Sequence, residues 1–256
     1  MGVTRGDLIL VKADLAYLGP IDGASTKAAY VQTVYDMMRA QIGEEGTLVV
    51  PTSSERLCAS GADFILEETP SQMGMFSEWV RQRPRARRSL HPFVSYAAEG
   101  PLAEGIVADV SKNSFGPDTP KARLIERGAK VVNLGIPPHR TNSIVHHAEQ
   151  LMGAPYRYHK EFANRVFAQG RYVGTDYLMY VRRLECRIEI DTTKERRVFE
   201  LFRQRGHAIA EAPLGAGVIT CYDLRAMFEA CVALLKADIY GLLVKPPDHR
   251  PYRLTC

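Results

Sequence analysis

The sequence predicts an α/β protein: a layered sheet that opens with a parallel βαβ unit, becomes mixed in its C-terminal part, and carries helices on both faces. Two short apolar runs, Asp7 to Val11 and Thr47 to Pro51, flank a stretch with helical spacing at Ala28, Val31, Val34, Met37, Met38 and Ile42. The alternation recurs up to a third run, Lys130-Val131-Val132-Asn133-Leu134, which ends at Gly135. Beyond about Tyr156 the pattern shifts to extended segments and two late helices. Strand, helix, strand in this order is what a parallel pair joined by a crossover requires.

The elements follow in order. Asp7 to Val11 reads as a strand after a Gly-Asp turn, Lys12 to Gly23 as a loop, and Ser25 to Ile42 as a helix. Gly43 and Gly46 bracket a charged turn before the second strand, which Pro51 closes. A polar stretch runs to Gln72, a helix covers Phe76 to Arg83, and Phe93 to Ala98 is extended after His91-Pro92. Helices are expected at Pro101–Asp109 and Lys121–Arg127, and one of about ten residues within Thr141 to Gly153, opened by capping residues and closed by glycine. Arg171 to Ile190 reads as extended chain, Val198 to Arg205 and Asp223 to Lys236 as helices. No repeat, low-complexity tract or Ser/Gly-rich linker interrupts the chain, so residues 1–256 are expected to form one domain.

With 46% hydrophobic and 24% charged residues the composition is that of an ordinary globular protein, which excludes disorder, collagen and coiled coil. A chain of this length buries roughly 70–75% of its unfolded surface, so the core needs no disulfides. Cys58, Cys186, Cys221, Cys231 and Cys256 form no CxxC pair, and their odd number fits free thiols in a reducing compartment. The opening MGVTRGDLIL turns charged too early for a secretory signal, and no run approaches the roughly 18 apolar residues of a membrane helix. A cytoplasmic protein with no membrane partner is expected. Of the net charge of +4, much is local to Arg81–Arg88. That run is either a solvated face or a partner for phosphate; without interleaved aromatics it does not suggest nucleic acid.

Within Thr141 to Gly153, a turn of 100° per residue puts Ile144, Ala148, Leu151 and Met152 on one apolar stripe. His147 borders that stripe, whereas His146 and Glu149, three residues apart, share the polar side and can touch. Such a pair suits general-base catalysis, because the carboxylate fixes the imidazole tautomer and stabilises the imidazolium that forms. The alternative is a surface pair of no consequence. Adjacent histidines diverge by about 100° on a helix and miss the HExxH spacing, so no metal is expected. A GxSxG elbow, a P-loop and a GxGxxG turn are absent.

Several blocks together resemble the antibiotic N-acetyltransferase family, whose best-known members are the aminoglycoside 3-N-acetyltransferases. They are Gly-Thr-Leu-Val-Val-Pro-Thr at 46–52, Met-Gly-Met-Phe-Ser-Glu-Trp-Val-Arg at 73–81, Arg-Ser-Leu-His-Pro-Phe-Val-Ser-Tyr-Ala-Ala-Glu-Gly at 88–100, Phe-Gly-Pro-Asp-Thr-Pro at 115–120, Val-Asn-Leu-Gly at 132–135 and Val-His-His-Ala-Glu at 145–149. The resemblance implies a compact α/β fold, often a homodimer, that binds acetyl-coenzyme A and moves the acyl group onto an amine of an amino sugar or related small molecule. It implies that His146 is the general base and Glu149 its orienting partner; direct transfer, which requires no covalent intermediate, is the expected route. It further implies that coenzyme A meets Arg88 and Ser89 at its phosphates, Asp14 and Leu15 in the first loop, and Met75, Phe76 and Ser95 along the pantetheine arm. Without the resemblance these last are sheet and helix core. Asp176 and Asn142 are the expected acceptor contacts, with Glu185, Glu189 and Asp191 as further carboxylates; Arg182, Arg183 and Arg187 interleave with them, which favours an acceptor less cationic than an aminoglycoside. The family usually shows His-Ser-Ser-Leu after the first strand, where this chain has Lys12-Ala13-Asp14-Leu15. That departure motivates the alternative of a catalytically inactive binding or scaffold subunit.

Overall fold

The computed structural model describes residues 1–188 and 195–253. The chain opens with strand β1 (Leu8–Ala13), a 3-10 turn at Leu15–Tyr17, helix α1 (Lys27–Ile42) and strand β2 (Thr47–Pro51). Thr26 caps α1, its hydroxyl accepting from Ala29 N–H at 3.1 Å. Then come α2 (Leu57–Ser60), β3 (Phe64–Ile65), α3 (Met75–Arg81), β4 (Arg87–Arg88), β5 (Tyr96–Glu99), α4 (Ala103–Val107), α5 (Pro120–Glu126) and β6 (Lys130–Leu134). The remainder holds α6 (Ile144–Leu151), β7 (Arg157–Glu161), β8 (Val166–Ala168), β9 (Arg171–Gly174), β10 (Leu178–Arg182), α7 (Glu195–Gln204), β11 (Ala210–Leu214), β12 (Gly217–Asp223) and α8 (Leu224–Ala237).

Seven strands form one sheet in the order β11-β12-β6-β1-β2-β5-β4. Its centre, β6-β1-β2, is parallel, with Leu8 opposite Thr47 and Ile9 opposite Lys130. Both flanks are antiparallel. The sheet is therefore mixed on the β5-β4 side as well as at its C-terminal part. The two-residue strand β3 and the β8-β9 hairpin make a small separate sheet, and β7 pairs with β10 in another.

Alternation along the central strands sends side chains to two cores. Leu8, Leu10, Val49 and Val131 face α4, α5, α6, α7 and α8, whereas Ile9, Val11, Leu48, Val50 and Val132 face α1 and α3. Helices thus cover both faces.

Three local departures from the sequence expectation have physical causes. The extended stretch at Phe93 becomes a regular strand only from Tyr96: the carbonyls of Phe93 and Ser95 still accept from Ser54 and Thr52 N–H, but the buried His91 ring accepts the N–H groups of Phe93 and Val94 at 3.2 and 3.1 Å and removes them from the ladder. The hairpin β11-β12 adds two strands beyond the sequence expectation, with Pro213 in β11 tolerated because β11 is the edge of the sheet. Within Arg171 to Ile190, two short strands and a 3-10 turn at Leu184–Cys186 replace continuous extended chain, and Ile190 lies outside the described residues. Among the described residues, no helix is long and apolar enough to cross a membrane.

Candidate active site

In an α/β sheet the crevice beyond the carboxyl ends of the parallel strands is where loops diverge and a ligand fits, most readily where successive connections leave a strand in opposite directions. Here β1 has β2 on one side and β6 on the other. A cleft of about 400 Å³ opens at that point, lined by Lys12 and Ala13 from the end of β1, Pro51 from the end of β2, Ile136 beyond β6, and the run Thr141, Asn142 and Ser143 leading into α6. A second depression of about 340 Å³ lies over β7 and β10, lined by Arg157, Tyr158, Lys160, Met179 and Arg182. His146, Phe115 and Glu55 line both. The imidazole therefore stands at the junction of the two.

His146 Nδ1 is 2.8 Å from Glu149 Oε2, while the carboxylate is only 3% exposed and the imidazole side chain is 36% exposed. An ionised carboxylate only accepts, so Nδ1 carries the proton and Nε2 is left as the basic nitrogen. Tyr156 donates its hydroxyl to Glu149 Oε1 at 2.8 Å, and Arg157 Nε forms an ion pair with Oε2 at 2.7 Å. Arg157 Nη2 also lies 3.1 Å from His146 Nδ1; a guanidinium cannot accept, and Nδ1–H is committed to the carboxylate, so this is a packing contact. Burial alone would push the Glu149 carboxyl up, but the hydrogen bond from His146, with Arg157 and Tyr156, holds it below the usual carboxylate range. The arrangement is a fixed, ionised carboxylate orienting one imidazole.

The neighbouring histidine goes elsewhere. His147 is 2% exposed, accepts from Gly116 N–H at 3.3 Å and packs edge-on against Phe228, and burial pushes its pKa down to about 3. The stripe expected on α6 is only partly formed: Ile144 and Ala148 are buried, but Leu151 is 46% exposed, and Val145 and Glu149 are buried instead. The helix is enclosed on more than one side because β7, β10 and α8 all approach it, which periodicity cannot register.

Of the other expected residues, Asn142 lines the first cleft, 3% exposed, with neither amide atom hydrogen bonded. Asp14 flanks it, its carboxylate accepting from Ala16 N–H at 3.2 Å, and Leu15 is core. Met73 lines the cleft, whereas Met75 is exposed at the start of α3 and Phe76 is buried against α1. Arg88 is spent inside the protein: its five N–H groups meet Ser95 Oγ, the carbonyls of Leu66, Thr69 and Thr52, and Ser54 Oγ, at 2.6 to 3.2 Å. Ser89 and Ser95 are fully buried, bonded to Tyr96 N–H and to Thr52 respectively. Their position fixes the Thr52 to Ser54 segment beside the cleft rather than touching it. Asp176 is exposed, paired with Lys112 at 2.5 Å and apart from both clefts; Glu185 pairs with Arg183. Glu189 and Asp191 lie outside the described residues, as does Cys256.

Three groups at the site carry no signal in the sequence. Tyr156 and Arg157 complete the Glu149 cluster only because the chain doubles back after α6. Lys121, at the start of α5, is 2% exposed, its Nζ 2.6 Å from Ser143 Oγ, with the Tyr96 and Phe115 rings 5.8 and 5.7 Å away. No pattern in one sequence announces a buried lysine, since most lysines are exposed.

Residues 10–236 match the family model described as aminoglycoside 3-N-acetyltransferase. Among curated relatives, the chain is 31% identical over 192 residues to aminoglycoside N(3)-acetyltransferase VIII of Streptomyces fradiae, covering 68% of this chain and 65% of that one. It is 30% identical over 179 residues to aminoglycoside N(3)-acetyltransferase IV of a Salmonella species, covering 70% of this chain and 64% of that one. The matches thus span just under two thirds of these relatives. The structure is similar to that of the apoenzyme of aminoglycoside acetyltransferase AAC(3)-IVa, at 26% identity and a TM-score of 0.73, covering 96% of this chain and 88% of the other. It shares its fold with AAC(3)-IIb, at 22% identity and a TM-score of 0.78 over 93% of each chain. The fold, the cleft at the sheet's switch point and the span of the family match lead to one conclusion: the chain belongs to the aminoglycoside 3-N-acetyltransferase family.

Proposed function

We propose that the chain is an acyl-coenzyme A-dependent N-acyltransferase, with acetyl-coenzyme A as the donor, and that it acts by direct transfer to an amine of an amino sugar or related small molecule. The observation that carries the proposal is the buried, ionised Glu149 holding Nδ1–H of His146 at 2.8 Å while the ring stands where two clefts meet. Donor thioester in the first cleft and acceptor amine in the second meet at the imidazole. His146 Nε2 takes the amine proton as nitrogen attacks the thioester carbonyl, and Glu149 stabilises the imidazolium. Relatives named aminoglycoside N(3)-acetyltransferases support the reaction class.

The acceptor is expected to be less cationic than an aminoglycoside. Lys12 and Arg140 line the first cleft and Lys160 and Arg182 the second, against the exposed carboxylate of Glu55; Arg157 is already neutralised by Glu149. Basic walls suit the phosphates of coenzyme A and repel a polycation. A homodimer in solution is part of the same reading, and sedimentation tests it.

The deciding experiment is His146→Ala, assayed for turnover and, by calorimetry, for coenzyme A binding. Loss of a general base lowers turnover by about 10²–10⁴-fold with binding retained. Unchanged turnover in the folded variant refutes the assignment, and a wild-type protein that binds no coenzyme A favours the scaffold alternative.

A further inference from the structure

We infer that Ser143 and Lys121 form a second nucleophile–base pair in the donor cleft, giving the chain an acyl-coenzyme A hydrolysing activity through an acyl-serine. The inference rests on the reading of that cleft as the acyl-donor site.

Ser143 occupies the N-cap position of α6, where a serine hydroxyl normally accepts a backbone N–H of the first turn, yet its side chain makes no such bond. The hydroxyl instead meets Lys121 Nζ at 2.6 Å, and Ser143 lines the cleft three residues before His146. A local rule is broken at the position where the cleft meets the helix, as happens at functional sites. Lys121 is 2% exposed, and among the described residues no carboxylate lies within ion-pair distance of it. An ammonium buried without a carboxylate is costly, which favours the neutral amine. Burial, with the nearby charge of Lys12, pushes its pKa well below the usual lysine value. A neutral amine beside a hydroxyl is a base beside a nucleophile. The N-terminal end of α6, an eight-residue helix, favours the negative charge that develops on Oγ.

The chemistry closes without a further reactant. Ser143 Oγ attacks the thioester carbonyl carbon as its proton passes to Lys121 Nζ. The C–S bond breaks, the sulfur takes that proton from the lysine, and coenzyme A leaves as the thiol. Water then attacks the ester, His146 receives its proton and returns it to Ser143 Oγ as the C–O bond breaks, and the carboxylic acid departs.

The test incubates the purified protein with acetyl-coenzyme A and no amine. Released coenzyme A is followed by chromatography, acetylated peptides by mass spectrometry, and coenzyme A binding by calorimetry. Ser143-dependent hydrolysis is expected, with acetyl on the Ser143 peptide accumulating in His146→Ala. In Lys121→Met the rate should fall on the order of 10²-fold. Should that variant not fold, Ser143→Ala, which removes one oxygen, decides alone. Coenzyme A binding with no acetyl-Ser143 and no Ser143-dependent hydrolysis overturns the inference and leaves direct transfer standing; so does acetyl found only on another residue. Absence of coenzyme A binding overturns the donor reading and this inference together.

Discussion

Asn142 holds two amide atoms at the first cleft with no protein partner among the described residues, so a bound ligand can meet them. Asn142→Ala is therefore expected to leave the melting temperature unchanged or raised while weakening coenzyme A or acceptor binding by roughly tenfold, the worth of about one hydrogen bond. Scanning calorimetry and titration calorimetry read the two effects separately; a marked loss of stability would show that the amide is structural. Glu149 is the opposite case, since its carboxylate already has His146, Tyr156 and Arg157. Glu149→Gln leaves Arg157 buried beside a neutral group, and breaking such a pair costs about 3–5 kcal/mol, so both stability and turnover should fall. His147 and His91 add a pH dependence. Burial pushes their pKa values down from 6.5 to about 3 and about 4, so between those values and 6.5 the unfolded chain binds protons that the folded one does not. Their contribution is complete above 6.5 and is lost as pH falls, by about 2 kcal/mol each at pH 5. Denaturant titrations at pH 7.5 and pH 5 check this, and stability that rises on acidification would contradict it.

At the scale of elements, the turn after β6 binds the cleft's two walls. Gly135 has φ +74°, and a Cβ there would run into the Asp14 carbonyl and the Tyr17 side chain. Gly135→Ala should destabilise the fold by at least about 1 kcal/mol and disturb the Lys12-to-Leu15 loop, read by denaturation and by donor affinity. Elements whose burial follows one period were legible from sequence. Strand β2 and strand β6 fall at the expected bounds, and α1, α5 and α8 lie within two residues of theirs, because each presents a continuous apolar face to the sheet. Strand β11 and the short β3 were not legible, since both are edge strands and lack a two-sided apolar pattern. In the site, the spacing of His146 and Glu149 allowed a contact and the structure makes it. What spacing cannot supply is burial: Glu149 was expected on a polar side and is 3% exposed, and the partners Tyr156 and Arg157 arrive through the return of the chain as β7.

For the whole molecule, a parallel centre flanked by antiparallel edges puts the carboxyl ends of β1, β2 and β6 at one rim, and α6 enters that rim with its first turn facing the cleft. The charge of the rim predicts selectivity. Across a series of amine acceptors of falling positive charge, kcat/KM should rise, and the advantage should shrink with added salt as screening weakens the repulsion. Efficient turnover of a broad panel of polycationic aminoglycosides would contradict that expectation.

The central claim is that the imidazole of His146 stands between donor and acceptor. A crystal structure with coenzyme A bound tests it most directly. The account predicts the thiol sulfur in the cleft bounded by Lys12, Asn142 and Ser143, next to His146 Nε2, with Nδ1 still on Glu149. A sulfur placed away from that ring, or a Glu149 turned from it when the ligand binds, would contradict the account.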